Sequence, residues 1–257
     1  MAQPAILAAI VFVVSSWPAP LASNVGDRVT TDANLVTALD VSDSIMRHDE
    51  WLEFDGMARA VVDSRFLDVV LSGRHGRVGF AVYVWSSHGN LRVVVPWTLI
   101  ASVEDAERVA GLLRDAPRID RSHYGGGDGA RDDDARWVPS FDTDISTAIR
   151  FGLDLLASAP RPTQRAVINI CGNGIDNVGG NPREARDLAM ASGVTVNGLV
   201  LGDRTDVAAY YRDHVTGGAG SFVMQVRRPA AVAEAMVTKL LRDLVAVRDA
   251  PWPALGT

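Results

Sequence analysis

The chain has 257 residues, 47% of them hydrophobic, which is ample for the core of one large domain or two small ones. Lys and Arg number 25 against 31 Asp and Glu, and the resulting formal charge of −6 opposes nonspecific attraction to phosphate backbones, so no nucleic-acid partner is expected. The single cysteine, Cys171, excludes an intramolecular disulfide and any multi-cysteine metal site.

The N-terminal segment predicts export. Residues 1–22 contain no charged side chain, and the apolar block AILAAIVFVV at 5–14 has the length of the h-region of a secretory signal peptide. This block is too short to span a bilayer, so no membrane span is expected in the mature chain. Because the preceding MAQP lacks the usual Lys or Arg, a buried or docking N-terminal segment is the alternative. We expect a signal peptide at 1–22 and a periplasmic or secreted protein.

From Asn34 onward, extended apolar runs alternate with amphipathic stretches, which is the pattern of an α/β domain with a mostly parallel sheet. No linker-like composition divides this region, so we predict one domain over 33–247 and a loose tail at 248–257. The predicted strands cover 35–39, 78–85, 91–99, 166–170, 194–201 and 222–226. The predicted helices cover 49–70, 104–114, 144–157, 182–192, 206–214 and 230–247.

The order of these elements predicts a doubly wound α/β fold, with a mostly parallel central sheet, helices on both faces and the first strand at the centre. The runs 78–85 and 91–99 are separated by SSHGN, a turn-forming stretch that suits a hairpin, so they contribute one antiparallel edge strand. Residues 118–140 have almost no apolar periodicity, three consecutive glycines and a triple Asp. We expect a long flexible loop there.

Polar side chains follow two strands of this predicted sheet. The stretch DVSDS at 40–44 places two acids and two hydroxyls directly after the first strand, and Asn173 follows the fourth. In doubly wound sheets, functional groups gather beyond the carboxyl ends of strands, where successive connections leave for opposite faces. We therefore expect these two loops to share a crevice. Ser42 and Ser44 have a second interpretation, since a short hydroxyl side chain can simply cap the helix that follows.

The DVSDS stretch matches the D-x-S-x-S signature of von Willebrand factor A (vWA) domains, and the resemblance extends over about residues 33–245. The stretches YVWSS, VVVPWTLI and YYRDHVTGGAGSFV, with the final helix, are similar to those of bacterial exported proteins of unknown function with this fold. The resemblance implies a metal-ion-dependent adhesion site (MIDAS), built from three loops. The ligands that it implies are Asp40, Ser42, Ser44, Thr143 and Asn173.

Cation chemistry favours Mg²⁺ at such a site, with Mn²⁺ or Ca²⁺ as alternatives. Magnesium prefers six hard oxygen ligands, usually keeps several waters and needs only one or two carboxylates. Asn173 stands where the family usually has Asp, and this exchange removes one negative charge, which weakens the binding of hard divalent ions. Asp142, Asp144 and Asp176 are candidates to replace that charge.

The resemblance implies a protein-binding module whose bound ion takes a carboxylate from a partner protein. Two alternatives stay open. The first is a scaffold of this fold that no longer binds metal, and the second is a metal-assisted hydrolase with Asp43 or Asp144 as general base. An enzyme is not expected, because the sequence contains no G-x-x-x-x-G-K-[ST], no G-x-G-x-x-G and no G-x-S-x-G motif. The sequence identifies neither the ligand nor the oligomeric state.

Overall fold

The structure, a computed structural model, describes residues 30–42, 45, 47–86, 90–118 and 142–245. The predicted signal peptide, almost all of the predicted 118–140 loop and the predicted tail lie outside these residues and stay predictions. Ser44 of the predicted metal site also lies outside them. Within the described ranges, no helix combines the length and the apolar composition needed to cross a membrane.

Strands and helices alternate along the described part of the chain. The strands are β1 (Ala33–Asp40), β2 (Val78–Trp85), β3 (Leu91–Ile100), β4 (Ala166–Gly172), β5 (Val194–Leu201) and β6 (Val223–Val226). The helices are α1 (Arg47–Val62), α2 (Ser64–Leu71), α3 (Val103–Asp115), α4 (Ile145–Ala157), α5 (Pro182–Ala191), α6 (Thr205–Tyr210) and α7 (Val232–Val245). A π-helical turn at Tyr211–Val215 continues α6, and a 3₁₀ turn at Pro229–Ala231 precedes α7.

The six strands form one mixed sheet in the order β3-β2-β1-β4-β5-β6. All neighbouring strands pair in parallel except β3, which is antiparallel to β2 at one edge. The chain moves outward from β1 through β2 and β3, then returns to the other side of β1 with β4. The predicted fold class, with a central first strand and one antiparallel edge strand, is confirmed, and the crevice between β1 and β4 is the place where the strand order reverses.

The sheet lies between two helical layers, and the residues of β1 alternate between the two cores. Leu35 and Leu39 pack in the core that includes apolar residues of α1, α2, α3 and α7. Val36 and Ala38 pack in the other core, which includes apolar residues of α4, α5 and α6. All eight residues of β1 are buried, as a central parallel strand covered on both faces requires.

The predicted helix over 49–70 is two helices in the structure. α1 ends at Val62, and Asp63 has an extended backbone (φ −65°, ψ 132°) and caps α2 by accepting a hydrogen bond from the Arg65 backbone N–H at 2.9 Å. Both helices contribute apolar residues to the same core, so the spacing of those residues continues across the break. Periodicity reports which residues face the core, but it does not report where the helical hydrogen bonds stop.

Candidate metal site

The first predicted ligands lie where β1 ends, at the centre of the sheet. Asp40 is the last residue of β1, and both Asp40 and Ser42 are fully buried. Oδ1 of Asp40 accepts a hydrogen bond from the Ser42 backbone N–H at 2.8 Å, and the Val41 N–H donates to the carbonyl of Trp85 at 2.9 Å. These two bonds attach the start of the loop to the ends of β1 and β2, so the Asp40 carboxylate has a defined orientation.

Thr143 lies in the short segment that leads into α4 and is also buried. Its backbone N–H donates to Oδ1 of Asn177 at 2.7 Å, and its carbonyl accepts from the Asn177 N–H at 3.1 Å. The next residue, Asp144, donates its backbone N–H to the carbonyl of Ser86 at 3.4 Å, one residue beyond β2. The segment is thus attached to loops on both sides of the end of β1.

Asn173 follows β4, between two glycines that bring its turn against other predicted ligands. A Cβ atom on Gly172 would lie 2.9 Å from Oδ2 of Asp40, and a Cβ atom on Gly174 would lie 3.3 Å from Oγ1 of Thr143. The 172–174 turn therefore runs between the Asp40 carboxylate and the Thr143 hydroxyl. The structure brings four predicted ligands to one end of the sheet, namely Asp40, Ser42, Thr143 and the half-buried Asn173.

Gly172→Ala is expected to destabilise the protein by about 1–3 kcal/mol. The new methyl group would lie 2.6 Å from the Tyr211 hydroxyl and 2.9 Å from Oδ2 of Asp40, so the surrounding side chains would have to shift. Urea unfolding of purified protein measures the effect. Gly111→Ala on α3 is the control, because a Cβ atom there meets nothing within 4 Å and Ala favours a helix interior, so this variant should be at least as stable as the wild type. A Gly172→Ala protein as stable as the wild type would contradict the close approach at Gly172.

Two of the three acids considered as replacements for the charge at position 173 serve the first turn of α4. Asp144 is the N-cap of α4, and its Oδ1 accepts from the Thr147 backbone N–H at 2.8 Å. Oδ2 of Asp176 accepts from the Ser146 backbone N–H at 3.3 Å. Burial raises the pKa of Asp176, the hydrogen bond from Ser146 lowers it, and the nearby Asp144 carboxylate raises it again. Both acids therefore have a structural role at this helix end.

A buried acid of α1 was missed by the sequence analysis. Glu53 is fully buried, and among the described residues neither of its carboxylate oxygens has a hydrogen-bond partner. Burial raises the pKa of Glu53 well above its usual range, and the Asp40 carboxylate raises it further. A signal was present in the sequence, because Glu53 lies four and eight residues before Met57 and Val61 and so occupies a core position of the helix.

Tyr211 was missed as well. It begins the π-helical turn after α6, is fully buried, and its hydroxyl lies against Gly172 beside the Asp40 carboxylate. Within the described part of the chain this hydroxyl has no hydrogen-bond partner. Burial raises the pKa of Tyr211, and the carboxylate of Asp40 raises it further. A tyrosine more than a hundred residues away from DVSDS carries no local signal of this proximity.

The available donors at this end of the sheet are mainly hydroxyl, amide and carboxylate oxygens. Across the described ranges, no group of three or more His, Cys, Asp and Glu side chains is arranged to hold a metal ion. A cation here would therefore depend on neutral oxygens together with few carboxylates, which is the donor chemistry of Mg²⁺ rather than of Zn²⁺ or Cu²⁺.

Comparisons with known proteins agree with this architecture. A family model described as "Protein of unknown function (DUF1194)" matches residues 30–248. The curated proteins contain no match to the sequence. Among solved structures, the vWF domain of the type V pili tip protein Mfa5 from Porphyromonas gingivalis aligns with a TM-score of 0.56 at 9% identity, covering 88% of this chain and 100% of that chain.

Two longer proteins share the same fold. The von Willebrand factor type A structure from Catenulispora acidiphila aligns with a TM-score of 0.54 at 14% identity, covering 84% of this chain and 43% of that chain. Proximal thread matrix protein 1 from the mussel byssus, with a zinc-occupied MIDAS motif, aligns with a TM-score of 0.51 at 17% identity, covering 84% of this chain and 49% of that chain. This chain thus spans half or less of the length of both proteins. The three similarities show that the chain has a vWA-like fold.

Proposed function

Because the chain belongs to the DUF1194 family of proteins of unknown function and has a vWA-like fold, we propose that it is a protein-binding module rather than an enzyme. Its binding surface is the end of the sheet formed by the loop after β1, the 142–144 segment and the 172–174 turn. The observation that supports this most is the position of the turn between the Asp40 carboxylate and the Thr143 hydroxyl. Three loops that are distant in sequence thereby present oxygen atoms to a single place.

The residues at this place fit a hard divalent cation, with Mg²⁺ as the first choice and Mn²⁺ or Ca²⁺ as alternatives. In this proposal Asp40 contributes a carboxylate, Ser42, Ser44 and Thr143 contribute hydroxyl oxygens, and Asn173 contributes an amide oxygen. The zinc-occupied MIDAS motif of the mussel protein supports a divalent ion at the corresponding end of the fold. When bound, the ion supplies an open, electrophilic coordination position for an oxygen ligand of the partner.

The partner is proposed to be a protein that presents a carboxylate to this surface. The molecule has a formal charge of −6, and its predicted ligands include the acid Asp40, so an acidic group would be repelled in the absence of a cation. A bound divalent ion offsets the negative charge of the site and offers a coordination position, which makes binding of an acidic group favourable. Capture of such a partner should therefore depend on the metal.

We infer that the binding takes place in the periplasm or outside the cell. The apolar block at 5–14 supports export, and so does the similarity to a domain of a pili tip protein from Porphyromonas gingivalis. An exported domain with a carboxylate-binding surface would meet other exported or surface proteins as its partners.

Chelation is expected to abolish partner capture, because the proposed contact is made through the ion. Immobilised protein is incubated with the periplasmic or secreted fraction, with and without EDTA, and the retained proteins are quantified by mass spectrometry. Excess Mg²⁺ added after EDTA should restore the capture of the partner. Equal capture in both arms would instead favour a scaffold that recognises its partner without metal, and metal-dependent turnover in a substrate panel would favour the hydrolase.

A further inference from the structure

We propose that Glu53 of α1 is a second carboxylate of this cation site and supplies the negative charge that Asn173 lacks. The inference rests on the proposed function, because it concerns the same ion. It extends the set of ligands to a helix that the D-x-S-x-S resemblance does not include. Three features of the structure support it: the burial of Glu53 without a hydrogen-bond partner among the described residues, the packing of α1 in the core that includes both neighbours of Asp40, and the acidic character of its surroundings.

Glu53 is buried, and no hydrogen bond among the described residues offsets the loss of its contact with water. Its relative exposure is 0%, and neither Oε1 nor Oε2 has a hydrogen-bond partner within the described ranges. An ionised carboxylate buried without a partner costs several kcal/mol, so without a cation the group is driven to take up a proton, in agreement with the raised pKa of Glu53. A cation that contacts the carboxylate would offset this cost and would account for an acidic residue at a buried position.

The electrostatic neighbours of Glu53 are the groups at the carboxyl ends of β1 and β4. After burial, the Asp40 carboxylate is the largest influence that raises the pKa of Glu53. Glu53 and Asp40 both raise the pKa of Cys171, the next-to-last residue of β4, which is paired with Leu39 in the sheet. Both acids also raise the pKa of Tyr211, whose hydroxyl lies beside Oδ2 of Asp40 at Gly172. Phe54 of α1, next to Glu53, packs in the same core as Leu39 and Val41, which flank Asp40, so Glu53 belongs to the helix that covers this side of the end of β1.

The charged groups that act on Glu53 are all acids. Beyond Asp40, the carboxylates of Glu50 and Asp49 in the first turn of α1 also raise its pKa, and no basic group in the described part of the chain contributes. Carboxylates in this arrangement repel one another unless a positive charge lies between them. A divalent cation next to Asp40 is the positive charge that this arrangement calls for.

The basic groups nearby are engaged elsewhere. Burial lowers the pKa of Arg118, the nearby Glu50 carboxylate opposes that effect, and the guanidinium donates to the carbonyl of Ala116 at 2.6 Å. Lys239 is buried on the same side of the sheet, but its ammonium group donates to the side chains of Asn169 and Asp243. Neither cation accounts for the burial of Glu53.

Two carboxylates complete a donor set that suits Mg²⁺, which is commonly bound through one or two carboxylates and additional neutral oxygens. With Asp40 alone, the proposed site would have one negative charge for an ion of charge +2. With Glu53, the site has two carboxylates, as many as a site with Asp40 and an Asp at position 173. The second negative charge then comes from α1 and not from the 172–174 turn, and the total charge is the same.

Glu53→Gln is expected to weaken Mg²⁺ binding by at least about tenfold, measured by isothermal titration of the full chain in metal-free buffer. Asp55→Asn is the matched control. This substitution removes the same charge from the same helix. Because the Asp55 carboxylate pairs with the exposed Arg59 at 2.7 Å, the Asp55→Asn protein should bind Mg²⁺ with the affinity of the wild type. Adding Asn173→Asp to Glu53→Gln should restore the affinity, because a carboxylate then returns to the same ion from a different loop.

A second readout does not need the metal. In metal-free buffer, Glu53→Met should raise the midpoint of thermal unfolding relative to the wild type, because an apolar side chain of similar volume then replaces a buried carboxyl group that has no hydrogen-bond partner among the described residues. Should Glu53→Gln fail to fold, Glu53→Met also takes its place in the titration.

The outcomes separate this inference from the proposed function. If the wild type binds Mg²⁺ and Glu53→Gln binds it equally well, Glu53 is not a ligand, whereas the metal site itself stands. If the wild type gives no saturable heat with Mg²⁺, Mn²⁺ or Ca²⁺, the metal site and the role of Glu53 both fail. Weaker binding by Glu53→Gln, with the control unchanged and affinity regained on adding Asn173→Asp, supports the assignment.

Discussion

Lys239→Met is expected to lower the free energy of unfolding by about 3–5 kcal/mol. Lys239 on α7 and Asp243 one turn later are both fully buried, with Nζ and Oδ1 3.5 Å apart. The Asp243 carboxylate also accepts hydrogen bonds from the side-chain amides of Asn169 at 2.7 Å and Asn197 at 2.8 Å. Burial lowers the pKa of Lys239, and the Asp243 carboxylate opposes that effect. Removing the ammonium group leaves this carboxylate in the core without its counter-ion.

Urea unfolding monitored by circular dichroism measures the loss of stability in Lys239→Met. Two further variants show whether this loss comes from the missing charge. Arg59→Met removes a cation from an exposed pair with Asp55 on α1 and should change the stability by less than about 1 kcal/mol. Lys239→Met combined with Asp243→Leu should recover most of the loss, because an apolar pair then replaces the ion pair. A double variant as unstable as Lys239→Met would show that the shape of the lysine, and not its charge, is what the core requires.

Asp40→Asn is expected to weaken Mg²⁺ binding by at least about 100-fold, the upper end of what removing an outer-shell partner of a metal costs. Asp40 carries the one negative charge among the five ligands implied by the vWA resemblance, and hard cations bind weakly without carboxylates. The substitution keeps the size of the side chain and an oxygen that can accept the bond from the Ser42 N–H. The loss of charge is therefore separated from a loss of local structure.

Isothermal titration with Mg²⁺, Mn²⁺ and Ca²⁺ tests this expectation. Asp203→Asn is the control, because Asp203 is exposed beyond the end of β5 and the substitution changes the net charge by the same amount. Partner capture by the Asp40→Asn protein should match that of the wild type in EDTA. Unchanged heats in Asp40→Asn would mean that the ion, if bound at all, lies elsewhere, and the binding surface would have to be reassigned.

Much of the fold was predictable because each element carries its own signal. The mostly apolar run at 35–39 indicates the buried β1, and the stretch between Val78–Trp85 and Leu91–Ile100 indicates the hairpin that makes β3 antiparallel. The break at Asp63 was missed, since the apolar spacing of α1 continues into α2. The π-helical turn that follows α6 was missed too, because a change of hydrogen-bond register leaves the helical face almost unaltered.

Some residues of the candidate site were predictable from the sequence and others were not. Asp40 and Ser42 were predictable from a local stretch of sequence, and Thr143 and Asn173 from the resemblance together with the element order. The roles of Asp144 and Asp176 at the first turn of α4 were not predicted, because a capping contact depends on which loop lies next to the helix end. Glu53 was not predicted as part of the site, since an acid in a helix is normally solvated.

By itself, the sequence determined the order and type of the elements, the doubly wound sheet and the polar loop at the end of its first strand, because these depend on periodicity and on neighbouring residues. Only the tertiary structure decided that Tyr211 lies beside Asp40, that Glu53 is fully buried without a hydrogen-bond partner among the described residues, and that Lys239 has its counter-ion in the core. Burial and electrostatic proximity are set by packing between elements that are far apart in the chain, so a local pattern such as the core position of Glu53 on α1 records them only in part.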